Sequence, residues 1–265
     1  LDWLASELVE QGWSLKELHR LIICSSAYRQ QSTRSPEKDA IDADNQLLSR
    51  MSMRRLDAES LRDAILVINE KYNSRRYGPP VPVMADKVGQ FVIGIENLDA
   101  GRPGAVLPMK GEDFRRSVYV QVRRSRRLGM LDTFDAAILE PNCTMRTQST
   151  VTPQALMMMN GRFVRTQSIY LAEQIQREVG KELGPQVERA WLAIYCRSPG
   201  EREQDEAVEL LKQLVEHFEE LLADKEKAGG SGDLAEPVTS SDPQIEALAT
   251  LCQALLSSSE FLYVD

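Results

Sequence analysis

Amphipathic helical segments alternate along this chain with one long segment from which proline and glycine exclude a helix. Residues 73–113 contain Pro79, Pro80 and Pro82, and further on Gly101-Arg102-Pro103-Gly104. Proline fixes φ and lacks an N–H, and glycine beside it favours turns. The segment is therefore expected to be long and irregular. Stretches of that length in compact domains are often binding loops.

Helical spacing of apolar residues predicts three helices before this segment. The expected spans are 2–10, 14–27 and 58–71, separated by a polar loop at 31–45. Gly12 can end the first helix. Ser14 and Glu17 form a capping box for the second, and Asp57 is placed to cap the third.

Further helices are expected after residue 150. The first follows Thr152-Pro153 and ends at Asn160-Gly161, and the next runs from Arg162 to Val179. The others follow Pro185, the Ser198–Glu201 capping box and Asp242-Pro243. Residues 229–242 are rich in glycine, serine and proline and are expected to form a flexible linker.

The expected fold class is mostly α, with long irregular loops and a small β element. Ser117 to Val122 alternates apolar and polar residues, which predicts a strand or hairpin around 116–122. We expect one domain over 1–265. Its segments are N-terminal helices (1–72), a loop-rich part (73–150), C-terminal helices (151–228), the linker (229–242) and a final helix and tail (243–265).

Composition excludes several protein classes. Hydrophobic residues make up 42% of the 265 residues and the net charge is −8, which excludes disorder of the whole chain. No apolar run approaches the ~20 residues of a membrane-spanning helix. The chain opens inside an amphipathic pattern without methionine, so we expect it to be part of a longer protein.

The four cysteines are Cys24, Cys143, Cys196 and Cys252, and no two of them form a C-x-x-C motif. Zinc ribbons and covalent haem attachment within the chain are therefore not expected. Two interpretations remain, four buried thiols or two long-range disulfides.

Basic residues are concentrated in the first part of the chain. Residues 1–165 carry 24 basic and 20 acidic side chains, whereas 166–265 carry 8 and 20. Six arginines crowd the predicted strand and its exit: Arg115, Arg116, Arg123, Arg124, Arg126 and Arg127. Ordinary solvation and salt bridging explain them most simply. A small anionic ligand or glycan is the second interpretation, and nucleic acid is a weak third given the acidic total.

Asp132 and Asp135 are the catalytic candidates, because two carboxylates three residues apart share a face if the turn is helical. Such a pair can act as general acid and base. The simpler interpretation is helix capping with pairing to Arg124 or Arg127. The two histidines, His19 and His217, are too few for a catalytic zinc set, so no metal site is expected.

Several separate motifs resemble one family, the planctomycete-type domain of unknown function 1553. The motifs span nearly the whole chain: 12–22, 26–30, 54–59, 62–66, 116–119, 134–135, Cys143, Arg146, 149–150, 153–156, Asn160 and 260–265. The resemblance singles out the polar positions Arg116, Asp135, Arg146, Gln154 and Asn160 as places to look for a site. It carries over no catalytic residue.

The resemblance implies a context. Such domains are C-terminal modules of large exported proteins (periplasmic, cell-surface or extracellular), with cytochrome-c-like and sometimes carbohydrate-binding domains upstream. Haem is then expected in an upstream domain, with no cofactor in this chain. The expected partners are the upstream domains of the same polypeptide and an anionic glycan. Neither nucleic acid nor a membrane span is expected.

Two functions follow. The first is an interaction or scaffolding module within a cytochrome-containing, glycan-associated protein. The second is an enzyme acting on an anionic polysaccharide. In the enzyme, Asp132 or Asp135 does acid–base work. The residues that would bind sulfate or carboxylate there are Arg116, Arg123, Arg124 and Arg146.

Overall fold

The computed structural model of the chain describes residues 1–86, 88–96, 106–137, 143, 145–146, 148–228 and 240–264. The chain folds into two compact units. The N-terminal unit comprises Leu1–Arg55 with Tyr263–Asp265, and the main unit comprises Leu56–Leu262. The organisation as one domain over 1–265 stays a prediction.

Three helices and one short ladder form the N-terminal unit. The helices are α1 (Asp2–Glu10), α2 (Leu15–Cys24) and α3 (Pro36–Ile41). Strand β1 (Arg54–Arg55) pairs antiparallel with β6 (Tyr263–Val264). Ser14 caps α2 as predicted, its hydroxyl accepting from the Glu17 N–H at 3.3 Å. None of the residues of these three helices is buried.

Helices build the core of the main unit. They are α4 (Ala58–Ile68), α5 (Gly129–Thr133), α6 (Thr152–Asn160), α7 (Arg162–Val179), α8 (Leu183–Tyr195), α9 (Glu201–Ala228), α10 (Pro243–Leu256) and α11 (Ser259–Leu262). Helix α10 packs on α7 and α9. Leu171, Ile175 and Leu248 are all but fully buried there, as the helical spacing predicts.

Two short antiparallel ladders lie in the irregular part of the main unit. Strand β2 (Val83–Ala85) pairs with β3 (Phe91–Ile93), and β4 (Ile95–Glu96) pairs with β5 (Val106–Leu107). A small second core of Val81, Val83, Val120 and Leu128 forms in the same part of the unit. The mostly α class with small β elements is confirmed.

The prediction of a strand or hairpin around 116–122 was wrong in the placement of the β element. Ser117–Tyr119 form a 3-10 helix, and Val120 makes a single parallel bridge to Val81. The reason is local hydrogen bonding: the Ser117 N–H donates to the Asp63 carboxylate, and the Ser117 carbonyl accepts from Val120. These bonds hold a turn in spite of the alternating side chains.

Two other expectations also need correction. Only Cys252 is buried, while the free thiols Cys24, Cys143 and Cys196 are exposed. Helix α9 begins at Glu201 rather than directly after Ser198, because the carboxylate of Glu203 accepts from the Gly200 N–H. The predicted linker 229–242 lies mostly outside the described residues. No described helix has the length and apolarity needed to cross a bilayer.

Candidate functional site

Two adjacent charged side chains of helix α4, Arg62 and Asp63, hold the segment 113–117 against the helix. This segment forms one wall of the candidate site. The Arg62 guanidinium is 1% exposed and donates to the carbonyls of Arg115 and Asp113 at 2.8 and 2.7 Å. Asp63 accepts from the Ser117 N–H and hydroxyl, both at 2.7 Å. Burial lowers the pKa of Arg62 to about 10, so the side chain is charged at neutral pH. The segment 113–117 is thereby fixed to α4.

The Arg115 side chain holds the proline-rich segment at 77–79 next to the segment 113–117. Its buried guanidinium donates to the carbonyls of Tyr77 and Pro79 at 2.6 and 2.9 Å. It also lies 4.2 Å from the centroid of the Tyr119 ring. The two terminal nitrogens of Arg115 are thus engaged by backbone carbonyls and, at 3.3 Å, by the Glu112 carboxylate, while its buried Nε has no hydrogen-bond partner among the described residues.

Beside this wall lies a cleft of about 430 Å³ in the main unit. Seven of its fifteen lining residues are apolar, and the other eight are polar or charged. The lining residues are Asp57, Glu59, Ser60, Ser117, Val118, Val120, Gln121, Val122, Arg127, Leu128, Leu131, Asp132, Ala136, Ala137 and Arg146.

Four of the five charged side chains that line the cleft form ion pairs with each other. Arg146 and Glu59 form a bidentate pair with N–O distances of 2.7 and 3.0 Å. Partial burial by itself raises the pKa of Glu59, but the hydrogen bonds from Arg146 outweigh it and lower the pKa. Arg127 lies 3.2 Å from Asp132, as the predicted pairing requires, whereas the predicted capping is not made, because Asp132 lies inside α5 and Leu128 is at its N-cap.

Asp135 belongs to a different polar cluster and does not line the cleft. Its carboxylate accepts from the Ser149 N–H at 2.8 Å and from the Ser149 hydroxyl at 2.9 Å. The buried Gln154 amide donates to Asp135 at 3.4 Å and to the Thr133 carbonyl at 3.1 Å. Asp135 itself has φ 62°, a left-handed conformation that aspartate tolerates. The cluster ties the chain before α6 to the end of α5.

The other predicted site residues are dispersed. Arg116 is 56% exposed and 3.7 Å from Asp63, and Asn160 is an exposed residue at the end of α6. Arg123 and Arg124 lie exposed on a turn closed by a bridge between Arg123 and Arg126. The structure therefore brings Asp132 together with Arg146, and Asp135 with Gln154. Within the described part of the chain, the guanidinium groups of Arg115, Arg116 and Arg127 have different acceptors.

Sequence reasoning missed Glu59, Arg62, Asp63 and Ser149. One signal was available for Arg62, since it precedes Ile65 and Leu66 by three and four residues. A charged side chain on that apolar stripe of α4 has to be buried with partners. Nothing in the sequence marks Glu59 as the partner of a residue 87 positions away.

Metal ligands do not cluster in the part of the chain that the structure describes: no three His, Cys, Asp or Glu side chains are placed to hold an ion. His19 and His217 are both exposed.

Three consecutive methionines, 157–159, lie in α6. Met158 is fully buried and Met159 is 62% exposed.

A family model described as PSD1, protein of unknown function (DUF1553), matches residues 1–211. The match includes parts of both units. Neither the curated proteins nor the solved structures contain a match to the chain.

Proposed function

The chain belongs to the DUF1553 family, and on that premise we propose that it is an interaction or scaffolding module of a larger exported protein. Family resemblance supports the finer setting, a planctomycete-type, glycan-associated protein with an upstream cytochrome-c-like domain. In this proposal any haem belongs to that upstream domain, and this chain contributes surfaces rather than a cofactor.

One observation carries the proposal, the apolar exposure of helices α1 and α2. Large side chains of this helix pair and its connection stay exposed, with Trp3 at 61%, Trp13 at 71% and Ile23 at 53%. Trp3, Leu4 and Ile22 also line a groove of about 820 Å³ in the N-terminal unit. Exposed apolar patches of this kind usually mark surfaces that associate with another protein.

The main unit supports the same conclusion from its electrostatics. Two of the residues predicted to bind or transform an anion are engaged internally, Arg146 by Glu59 and Asp135 by Ser149.

Hydrogen exchange tests the interaction role. The amides of α1 and α2 are compared in the 265-residue chain and in the longest natural polypeptide that carries it. We expect exchange at least about tenfold slower in the longer polypeptide, and loss of that protection in a Trp3→Ser, Trp13→Ser double variant. Helix α7 serves as the internal control. Equal exchange of α1 and α2 in both proteins would contradict the proposal.

The alternative, an enzyme acting on an anionic polysaccharide, has one observation in its favour. Asp132 is 55% exposed and shares the cleft with Arg146. A turnover screen against sulfated and uronate polysaccharides tests it. Product formation that Asp132→Asn abolishes would establish the enzyme, and absence of turnover across the screen supports the scaffolding role.

A further inference from the structure

One wall of the main-unit cleft is an extended backbone segment with a single hydrogen-bonded edge. The Val81 N–H donates to the Tyr119 carbonyl at 2.7 Å, and the Gln121 N–H donates to the Val81 carbonyl at 2.8 Å. Alternate residues of an extended chain direct their main-chain groups to the same edge. The groups of Val120 and Val122 therefore belong to the opposite edge.

That opposite edge is largely unused. The Val120 N–H donates to the Ser117 carbonyl at 3.0 Å. The Val120 carbonyl and both main-chain groups of Val122 have no hydrogen-bond partner among the residues that the structure describes. A row of unused main-chain donors and acceptors is a template for pairing with another extended chain.

The cleft beside this edge is apolar where side chains of a paired strand would enter. Val118 and Val122 are 68% and 65% exposed at its border, and Val120 and Leu128 are buried in its floor. Successive side chains of a strand point to opposite faces, so every second side chain of an added strand can face the cleft. A volume of about 430 Å³ admits a few aliphatic side chains.

The charges beside this edge indicate which charge an added strand should carry. Arg123 and Arg126 follow Val122 on an exposed turn, and neither forms an ion pair within the described part of the chain. Arg127 and Arg146, by contrast, are neutralised by Asp132 and Glu59. The turn therefore places uncompensated positive charge at one end of the unused edge, which favours a negatively charged complement.

We propose that the edge at 120–122 binds an extended peptide of a partner protein by strand addition. Main-chain hydrogen bonds form at Val120 and Val122, alternate apolar side chains enter the cleft, and an acidic residue faces Arg123 and Arg126. This site lies in the main unit and is independent of the α1–α2 surface. Strand addition obtains affinity from the main chain and specificity from alternate side chains.

The probe is a set of fluorescein-labelled linear peptides, measured by anisotropy against the 265-residue chain. Each has a core of alternating valine and threonine that ends in three aspartates, three serines or three lysines. We expect the aspartate-ended peptide to bind about tenfold more tightly than the lysine-ended one. N-methylation of alternate core amides should weaken binding at least as much, because it removes main-chain donors without altering charge or side chains.

Variants of the chain test separately the charge contact with the two arginines and the main-chain hydrogen bonds at the edge. The double variant Arg123→Ser, Arg126→Ser should lose about fivefold in affinity for the aspartate-ended peptide and none for the serine-ended one. Arg76→Ser, at an exposed arginine outside the cleft, is the charge control and removes one positive charge in place of two. Val122→Pro removes one edge N–H and should abolish binding, whereas Val122→Thr keeps that N–H and should bind normally.

Four outcomes would overturn the proposal. They are no saturable binding of any peptide, equal affinity for aspartate and lysine ends, insensitivity to N-methylation, and an equal loss in Arg76→Ser. Binding of a sulfated oligosaccharide in place of every peptide would likewise assign the cleft to a glycan. The N-methylated peptides keep the test valid even where Val122→Pro fails to fold.

Discussion

At the residue scale, Arg62 shows how one buried guanidinium sets the shape of a distant segment. It is 1% exposed, and its two terminal nitrogens donate to main-chain carbonyls more than 50 residues further along the chain. A buried charge is tolerated when its hydrogen bonds are made, and removing it leaves those carbonyls without donors. Arg62 and Asp63 together decide that 113–117 lies on α4.

Arg62→Met is therefore expected to lower the free energy of unfolding of the main unit by about 3 kcal/mol. Urea denaturation followed by circular dichroism measures the change. Arg116→Met, at a position 56% exposed, is the control and should cost less than about 1 kcal/mol. Similar small losses in both variants would show that the buried hydrogen bonds contribute little.

Cys252 gives a pH-dependent prediction at the same scale. Burial raises the pKa of its thiol to about 12, whereas the thiol of an unfolded cysteine has a pKa of about 8.5. Between about pH 8.5 and 12 only the unfolded state releases this proton, so stability conferred by Cys252 falls as pH rises through that window. Wild type should lose stability more steeply than Cys252→Ala there, by up to about 1.4 kcal/mol per pH unit.

Thiol labelling checks the same assignment. Native protein should react with a maleimide at the three exposed cysteines, and at Cys252 only after unfolding. Peptide mapping of the labelled sites distinguishes the four positions. Labelling of Cys252 at the rate of Cys24 would contradict its burial.

At the element scale, the joint between α6 and α7 consists of Gly161 alone. The residue ends α6 and precedes α7 with φ −67°, so its role is close approach rather than a left-handed turn. A Cβ at this position would lie 2.3 Å from the Met157 carbonyl oxygen. The sequence indicated the break through Asn160-Gly161, and only the structure shows why glycine is needed.

Gly161→Ala is expected to destabilise the main unit by about 2 kcal/mol, because backbone must shift to admit the methyl group. Gly184→Ala in α8 is the matched control, since its nearest neighbour would be the Gln204 side chain at 3.6 Å. There alanine should stabilise the protein by about 0.5 kcal/mol. Thermal unfolding compares the two, and a stable Gly161→Ala protein would refute the close approach.

How much the sequence predicts differs between elements for physical reasons. Helical spacing predicted α7, and the capping box of Ser14 and Glu17 predicted the start of α2. Both depend on residues that are near in sequence. It failed at 117–122, where Asp63 and Arg62 impose a turn from 50 or more positions away. The partners of the candidate site residues could not be predicted for the same reason, because only the fold brings Glu59 to Arg146 and Ser149 to Asp135.

At the scale of the whole molecule, the two units differ in how their apolar residues are used. The main unit buries a continuous core between α7, α9 and α10, whereas α1 and α2 bury none of their residues. The charged residues of the main-unit site meanwhile stabilise its own loops. These two features support the proposal that α1 and α2 form a surface for association, and that Arg146 and Asp135 have a structural role.

The most direct test of that account measures stability and ligand response together in Arg146→Ala and Asp135→Asn. We expect unfolding free energy to fall by about 1 kcal/mol in Arg146→Ala and about 1–3 kcal/mol in Asp135→Asn. Turnover and binding on a panel of anionic glycans should stay at the level of a protein-free control for wild type and both variants. Glycan binding or turnover by wild type that either substitution abolishes at unchanged stability would contradict the account.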